Sequence, residues 1–138
     1  MKETFVLDAC ALIAFLDDED GADKVENILR RARRGDCVIY MNKVNVLEIY
    51  YGVFREYSKE KAEEILAKIL ALPIIVIDML KDNVFKEAGR LKAIYKISLA
   101  DSIALAETKI RETQILTADH HEFDPIDKEG EAIFYWIR

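Results

Sequence analysis

An α/β sandwich with a mostly parallel central sheet follows from three features of the 138-residue sequence. Five short β-branched or aromatic runs read as strands, the stretches between them carry apolar residues at helical spacing, and polar capping residues stand at several helix starts. Strands separated by helices favour parallel neighbours, because a parallel pair needs a crossover connection, and helices then cover both faces of the sheet.

The elements follow in order. "TFVL" is a short buried strand, and "ALIAFLDD" a helix that begins close to Asp8. From Ala22, the spacing of Val25, Ile28, Leu29 and Ala32 gives one apolar helical face that Gly35 ends. "CVIYM" is the second strand. Asn45 is expected to begin the next helix, and Ser58 to cap another that turns Ala62, Ile65, Leu66, Ile69 and Leu70 inward. Pro73 stops that helix before the strand "IIVI". A helix carrying Val84, Ala88, Leu91 and Tyr95 follows, then one from Ser98 to about Glu112. "QILT" is the fourth strand and "AIFYWI" the fifth, with no helix expected between them.

A chain of this length buries roughly 68% of its unfolded surface, enough for one core, and residues 1–138 read as a single domain. Five glycines, two prolines and no Ser/Gly-rich tract leave no linker or repeat. No run approaches the ~18 uncharged apolar residues that span a bilayer, and no signal peptide opens the sequence, so a soluble, cytoplasmic protein without a membrane partner is expected. Cys10 and Cys37 lie in apolar segments outside any CxxC or Cys/His pattern and read as buried, reduced thiols.

The net charge of -6 argues against broad electrostatic attraction to nucleic acid. "RRARRG" is a local exception, but Arg30, Arg31, Arg33 and Arg34 at a helix end are accounted for by the negative end of the helix dipole.

Three acids interrupt apolar runs: Asp8 in "TFVLDACALIAF", Glu48 in "NKVNVLEIYYGVF" and Asp101 in "KISLADSIALAE". A fourth, Asp119, follows "QILT" by two residues. In open α/β sheets ligands bind at the carboxyl ends of the strands, and all four acids fall there: Asp8 after the first strand, Glu48 and Asp101 in the first turns of helices, Asp119 after the fourth strand. Each has a plainer explanation alone. Asn45-x-x-Glu48 and Ser98-x-x-Asp101 fit capping boxes, Asp8 an N-cap, and Asp119 a turn. Capping does not explain why four acids occupy corresponding ends of successive elements. Carboxylates brought together repel, so a counter-cation is implied, and an all-oxygen set suits Mg²⁺ or Mn²⁺. The helix N-termini beneath Glu48 and Asp101 are expected to keep them ionised.

"VLDACALIAFL", "NVLEIYYG", "SLADSIALA" and "ILTADHHEFDPI" together resemble the PIN domain (PilT N-terminal domain) family of metal-dependent ribonucleases, in the compact form of VapC-type toxins. The resemblance runs in order over nearly the whole chain. It implies a PIN-like three-layer sandwich around about five strands. It makes Asp8, Glu48 and Asp101 the catalytic metal-binding core, with Asp119 a fourth and more variable acid. It also implies a Mg²⁺- or Mn²⁺-dependent endoribonuclease acting on RNA and leaving a 5′-phosphate and a 3′-hydroxyl, with a small antitoxin protein and a second copy of the chain as partners. Two departures from the family pattern stand out. Cys10 replaces the small hydroxyl residue usual two positions after the first acid, and Phe123 falls one residue later than the pattern places it.

Other residues near the acids have quieter readings. His120 and His121 are expected to be solvated in a polar loop, since adjacent histidines rarely face one ion. Tyr50, Phe54 and Tyr57 share helical spacing and, with Tyr51, suit a core or subunit interface. Ser102 is placed to orient Asp101, and Lys43 to meet a phosphate. Competing functions are an RNA-processing PIN nuclease without an antitoxin and a non-catalytic interaction module whose acids only cap helices. A phosphoacceptor receiver is disfavoured because "QILTADHHEF" lacks the lysine such a site needs after a later strand.

Overall fold

A computed structural model describes residues 2–138. The chain runs β1 (Glu3–Leu7), α1 (Ala9–Leu16), α2 (Ala22–Arg33), β2 (Cys37–Asn42), α3 (Lys43–Glu56), α4 (Lys59–Leu70), β3 (Ile75–Ile77), α5 (Asp82–Ile94), α6 (Leu99–Ile110), β4 (Gln114–Thr117), α7 (His120–Lys128) and β5 (Ile133–Trp136). The five strands form one sheet in the order β3-β2-β1-β4-β5, and every neighbouring pair is parallel. The α/β sandwich is therefore as expected, with the sheet wholly parallel.

The pleat of the strands divides the core in two. Phe5, Leu7 and Leu116 pack with Leu12, Ile28, Ile49 and Ile69 from the first four helices. Ile115, one residue from Leu116, points the other way and packs with Leu91, Leu105, Phe123 and Ile126 from the last three. Among the described residues no helix is long and apolar enough to cross a membrane.

Two elements differ from expectation. The first is α7, where a loop was expected. Asp119 caps it by accepting from Glu122 N at 3.1 Å, and Phe123 and Ile126, three apart, bury one face. Pro125 sits inside this helix, where a proline removes one main-chain hydrogen bond. This helix is also the crossover that lets β5 lie parallel to β4. The second is α3, whose cap lies three residues before Asn45. Asn42 is its cap, with Oδ1 accepting from Val44 N at 2.9 Å. The other end of the amide donates from Nδ2 to Glu107 Oε2 at 2.8 Å, and Glu107 is held in turn by Arg111 at 3.2 Å. The strand end, the α3 cap and α6 are thus tied by one buried polar chain.

Gly21, the cap of α2, has φ +93°, and a Cβ there would stand 2.6 Å from the carbonyl oxygen of Ile137. A left-handed backbone costs an L-residue roughly 1–2 kcal/mol, and the obstacle is main chain that cannot swing aside. Gly21→Ala is expected to destabilise by about 2 kcal/mol or more, lowering the melting temperature by roughly 6 °C or more. A thermal melt indistinguishable from wild type would contradict this.

Candidate active site

The sheet order reverses beside β1: the chain fills one side with β2 and β3, then returns to the other with β4 and β5. Such a switch opens a crevice at the carboxyl ends of the strands, here between β1 and β4. Asp8 leaves β1 and Asp119 follows β4, so these two acids flank the crevice. Glu48 reaches the same edge from α3 and Asp101 from the first turn of α6.

Asp8 is completely buried. As the cap of α1 its Oδ1 accepts from Ala11 N at 2.8 Å, whereas Oδ2 has no hydrogen-bond partner. Burial pushes its carboxyl up to about 7, helped by the charges of Asp119 and Glu48. The Ala11 N–H and the nearby Thr117 hydroxyl offset part of this. Thr117 favours the carboxylate by proximity without completing a well-formed bond to Oδ2.

Asp101 is buried as well, and burial together with the charges of Asp8, Asp119 and Glu48 pushes it up to about 8. Its own backbone N–H donates to Ser98 Oγ at 3.1 Å, the first half of a capping box. The second half is missing. The N–H of Ser98 donates to Glu122 Oε1 at 3.2 Å, so a residue of α7 supplies the return bond that Asp101 would make in a complete box. Its carboxylate makes no such return bond and faces the other acids, with the Ser98 hydroxyl beside it offsetting part of the rise.

Glu48 is half-buried and its carboxyl is raised, first by burial and then by Asp119 and Glu122. It lies in the second turn of α3, so the expected Asn45 to Glu48 capping box does not exist. Asn45 is instead buried inside the helix, donating from Nδ2 to the Ala100 carbonyl at 3.1 Å, with Oδ1 unpartnered. It thereby links the helices that carry Glu48 and Asp101. Asp119 accepts from Glu122 N, while its own N–H donates to Thr117 Oγ1 at 3.0 Å.

The four predicted acids therefore share one electrostatic neighbourhood. The helix dipole does not keep Asp101 ionised as its position led one to expect, and the carboxyl of Glu48 is raised rather than lowered. A dipole is worth about 0.3–1 kcal/mol, and burial with three neighbouring acids outweighs it. Among the described residues no three His, Cys, Asp or Glu side chains are drawn tightly enough together to form a ready-made ion cage. The donor set nonetheless fits a hard divalent cation: all ligand atoms are oxygen, their charges repel, and Asp8 Oδ2 is a buried acceptor with nothing to accept.

Surrounding residues refine the sequence reading. Cys10, half-buried, abuts the acids, and burial followed by the charges of Asp8 and Asp119 pushes its thiol up to about 11. Cys37 is buried and free. Ser102 is fully buried and donates to the Leu99 carbonyl at 2.6 Å, so it does not orient Asp101. Glu122 and Asn45 were not singled out for the site. The Asp119-x-x-Glu122 spacing carried a capping-box signal, and nothing in "NVLE" separated Asn45 as a bridge from Asn45 as a cap. The basic cluster is largely neutralised, with Arg30 on Glu26, Arg31 on Glu3 and Arg34 on Asp36. Tyr51, Phe54 and Tyr57 are exposed and belong to neither half of the core.

A family model described as PIN domain matches residues 5–129. No curated protein matches the sequence. Among solved structures, DNA-bound VapBC from Salmonella typhimurium superposes with a TM-score of 0.75 at 14% identity, covering 100% of both chains. VapBC2 from Rickettsia felis, bound to a promoter DNA fragment, gives 0.72 at 17% identity over 96% of this chain and 97% of that one. VapBC-1 from nontypeable Haemophilus influenzae gives 0.71 at 15% identity, covering 97% and 98%.

Proposed function

We propose that this chain, which belongs to the PIN domain family, is a Mg²⁺- or Mn²⁺-dependent endoribonuclease and the toxin of a toxin–antitoxin pair. The observation that carries the reading is the gathering of Asp8, Glu48, Asp101 and Asp119 from four separate elements at the β1–β4 crevice, where the carboxyls of Asp8 and Asp101 are raised first by burial and then by neighbouring acids of the set. The VapBC structures, whose chains this one covers almost completely, support the toxin assignment.

Asp8, Glu48 and Asp101 would hold the ion, with Asp119 as a fourth ligand or a partner for the attacking water. A bound divalent cation neutralises charge that builds on the phosphate and makes water a nucleophile at neutral pH. The remaining work falls to the chain itself. The unpartnered Asp8 Oδ2 is fixed by the Ala11 bond at its other oxygen, so the carboxylate cannot rotate away. Glu48, half-buried, would complete the ion's ligands from the more solvent-accessible side of the crevice. Asn45 and Glu122 hold α3 and α7 against the start of α6, which sets the spacing of the acids.

Two protein partners belong to this proposal, a small antitoxin and a second copy of the chain. Leu47, Tyr51 and Phe54 form an exposed apolar stripe along α3 suited to such contacts.

The test is cleavage of total cellular RNA. EDTA is expected to abolish cutting, Mg²⁺ or Mn²⁺ to restore it, and Asp8→Asn to lower it by about a hundredfold or more. Undiminished cutting in chelator would overturn the metal mechanism. Full metal-dependent cutting by Asp8→Asn would return the acid to helix capping.

A further inference from the structure

His120 is exposed, as expected, but it opens α7 and its ring is held in place. Its ring stacks on the indole of Trp136, with centroids 3.8 Å apart and planes at 11°. Trp136 stacks in turn on Phe134 at 5.3 Å and 11°, and Phe134 rests against the fully buried Phe123. Four rings thus run from the core to the surface and end on an imidazole. Both ring nitrogens are engaged: Nδ1 with Asp124 Oδ1 and Nε2 with the Arg138 carbonyl, each at 2.8 Å. With one face on Trp136 and both nitrogens bonded, the side chain is still 47% exposed, which leaves its outer face open to solvent.

This ring stands beside the acids. His120 follows Asp119 directly, and Trp136 pairs in register with Thr117, the residue that supports Asp119. With a net charge of -6 and three arginines of the basic cluster paired to acids, the surface offers no broad electrostatic attraction to a phosphate backbone, so contacts that do not depend on charge would add to the grip on a single strand. Base stacking is such a contact, worth about 1–3 kcal/mol per base and tolerant of sequence.

We propose that the outer face of His120, held rigid by the Trp136–Phe134 column, is a stacking subsite for an unpaired nucleobase next to the phosphodiester bound at the acids. The subsite rests on the nuclease reading above. It takes single-stranded RNA, one base at a time, and reads no base edge, because both ring nitrogens are committed within the protein.

The probe is a fluorescein-labelled single-stranded oligoribonucleotide of mixed sequence, about 12 nucleotides long. Binding is followed by anisotropy in an Asp8→Asn background, and cleavage in Mn²⁺ with Asp8 intact. His120→Ala is expected to weaken binding by about tenfold and to raise KM more than it lowers kcat. His120→Phe keeps an aromatic face without the ring nitrogens and is expected to bind within about threefold of the unchanged ring. Emission of Trp136, the single tryptophan, should change on adding unlabelled oligonucleotide. A folded His120→Ala chain that binds and cuts like the unchanged one overturns the subsite alone, as does a His120→Phe chain as weak as His120→Ala. If the chain with His120 and Asp8 intact cuts no RNA in Mn²⁺, the nuclease reading falls and the subsite with it.

Discussion

Asp101→Asn is expected to leave the metal-free protein at least as stable as wild type while removing RNA cleavage. The two roles open to Asp101 give opposite signs for this change. A carboxylate that only caps α6 contributes about 0.3–1 kcal/mol through the helix dipole, and the amide would lose it. Asp101, however, is buried beside Asp8, Asp119 and Glu48, with its carboxyl pushed up to about 8. Each unit of such a shift is about 1.4 kcal/mol against the charged form, so the charge costs several times more than the dipole returns. A neutral isostere relieves that cost. The Ser98 cap survives, because it uses the Asp101 backbone N–H and not its side chain. Excess Mn²⁺ should stabilise wild type by about 2.7 kcal/mol at 100 times its dissociation constant, and the variant should lose most of that gain. A variant that melts lower than wild type in EDTA, with no metal shift in either protein, would make Asp101 an ordinary helix residue.

The second large effect is on pH. Unfolded, Asp8 and Asp101 ionise near 3.8; folded and metal-free, they hold their protons to about 7 and about 8. Between these limits the folded state binds more protons than the unfolded one, so stability falls as pH rises. The slope is about 1.4 kcal/mol per pH unit for each group, so about 3 kcal/mol, or roughly 8 °C in melting temperature, where both differ fully between the two states. His120 also contributes in this direction, since its raised pKa, due first to the Arg138 carbonyl and then to Asp124, gives stability that is lost as pH rises through the folded value. Asp101→Asn and Asp8→Asn separate the contributions, because each should flatten the slope while leaving His120 in place. Saturating Mn²⁺ competes with the protons at Asp8 and Asp101 and should remove their share of the decline, leaving only that of His120. Melts from pH 5 to pH 8 in EDTA check this, and a metal-free protein whose stability rises across that range would contradict it.

Most of the fold was legible because its signals are local. Ser58 and Ser98 accept from Lys61 N and Asp101 N as their sequence context suggests, and the apolar spacing of Val84, Ala88 and Leu91 marks the buried face of α5. The acids were legible for a related reason: a carboxylate costs too much in an apolar run to sit there without purpose. What escaped detection depended on partners distant in sequence. Asn42, not Asn45, caps α3 because Glu107, 65 residues later, fixes its amide. Asp101 does not close its capping box because Glu122, 24 residues beyond Ser98, takes the bond. The α7 helix was marked only by Phe123 and Ile126, whose burial depends on the sheet beneath them. His120 is exposed as expected, but its stacking escaped detection because the partner, Trp136, lies on the last strand.

The account stands or falls on whether the four acids bind a divalent cation. Titrating Mn²⁺ into metal-free protein at pH 7 by calorimetry, in two buffers of different ionisation enthalpy, tests it without any RNA. Wild type is expected to bind Mn²⁺ and release protons as it does so, since Asp8 and Asp101 hold them at that pH. Asp8→Asn should bind more weakly by about tenfold or more and release fewer protons. No binding by wild type, or equal binding and proton release by Asp8→Asn, would contradict the metal site.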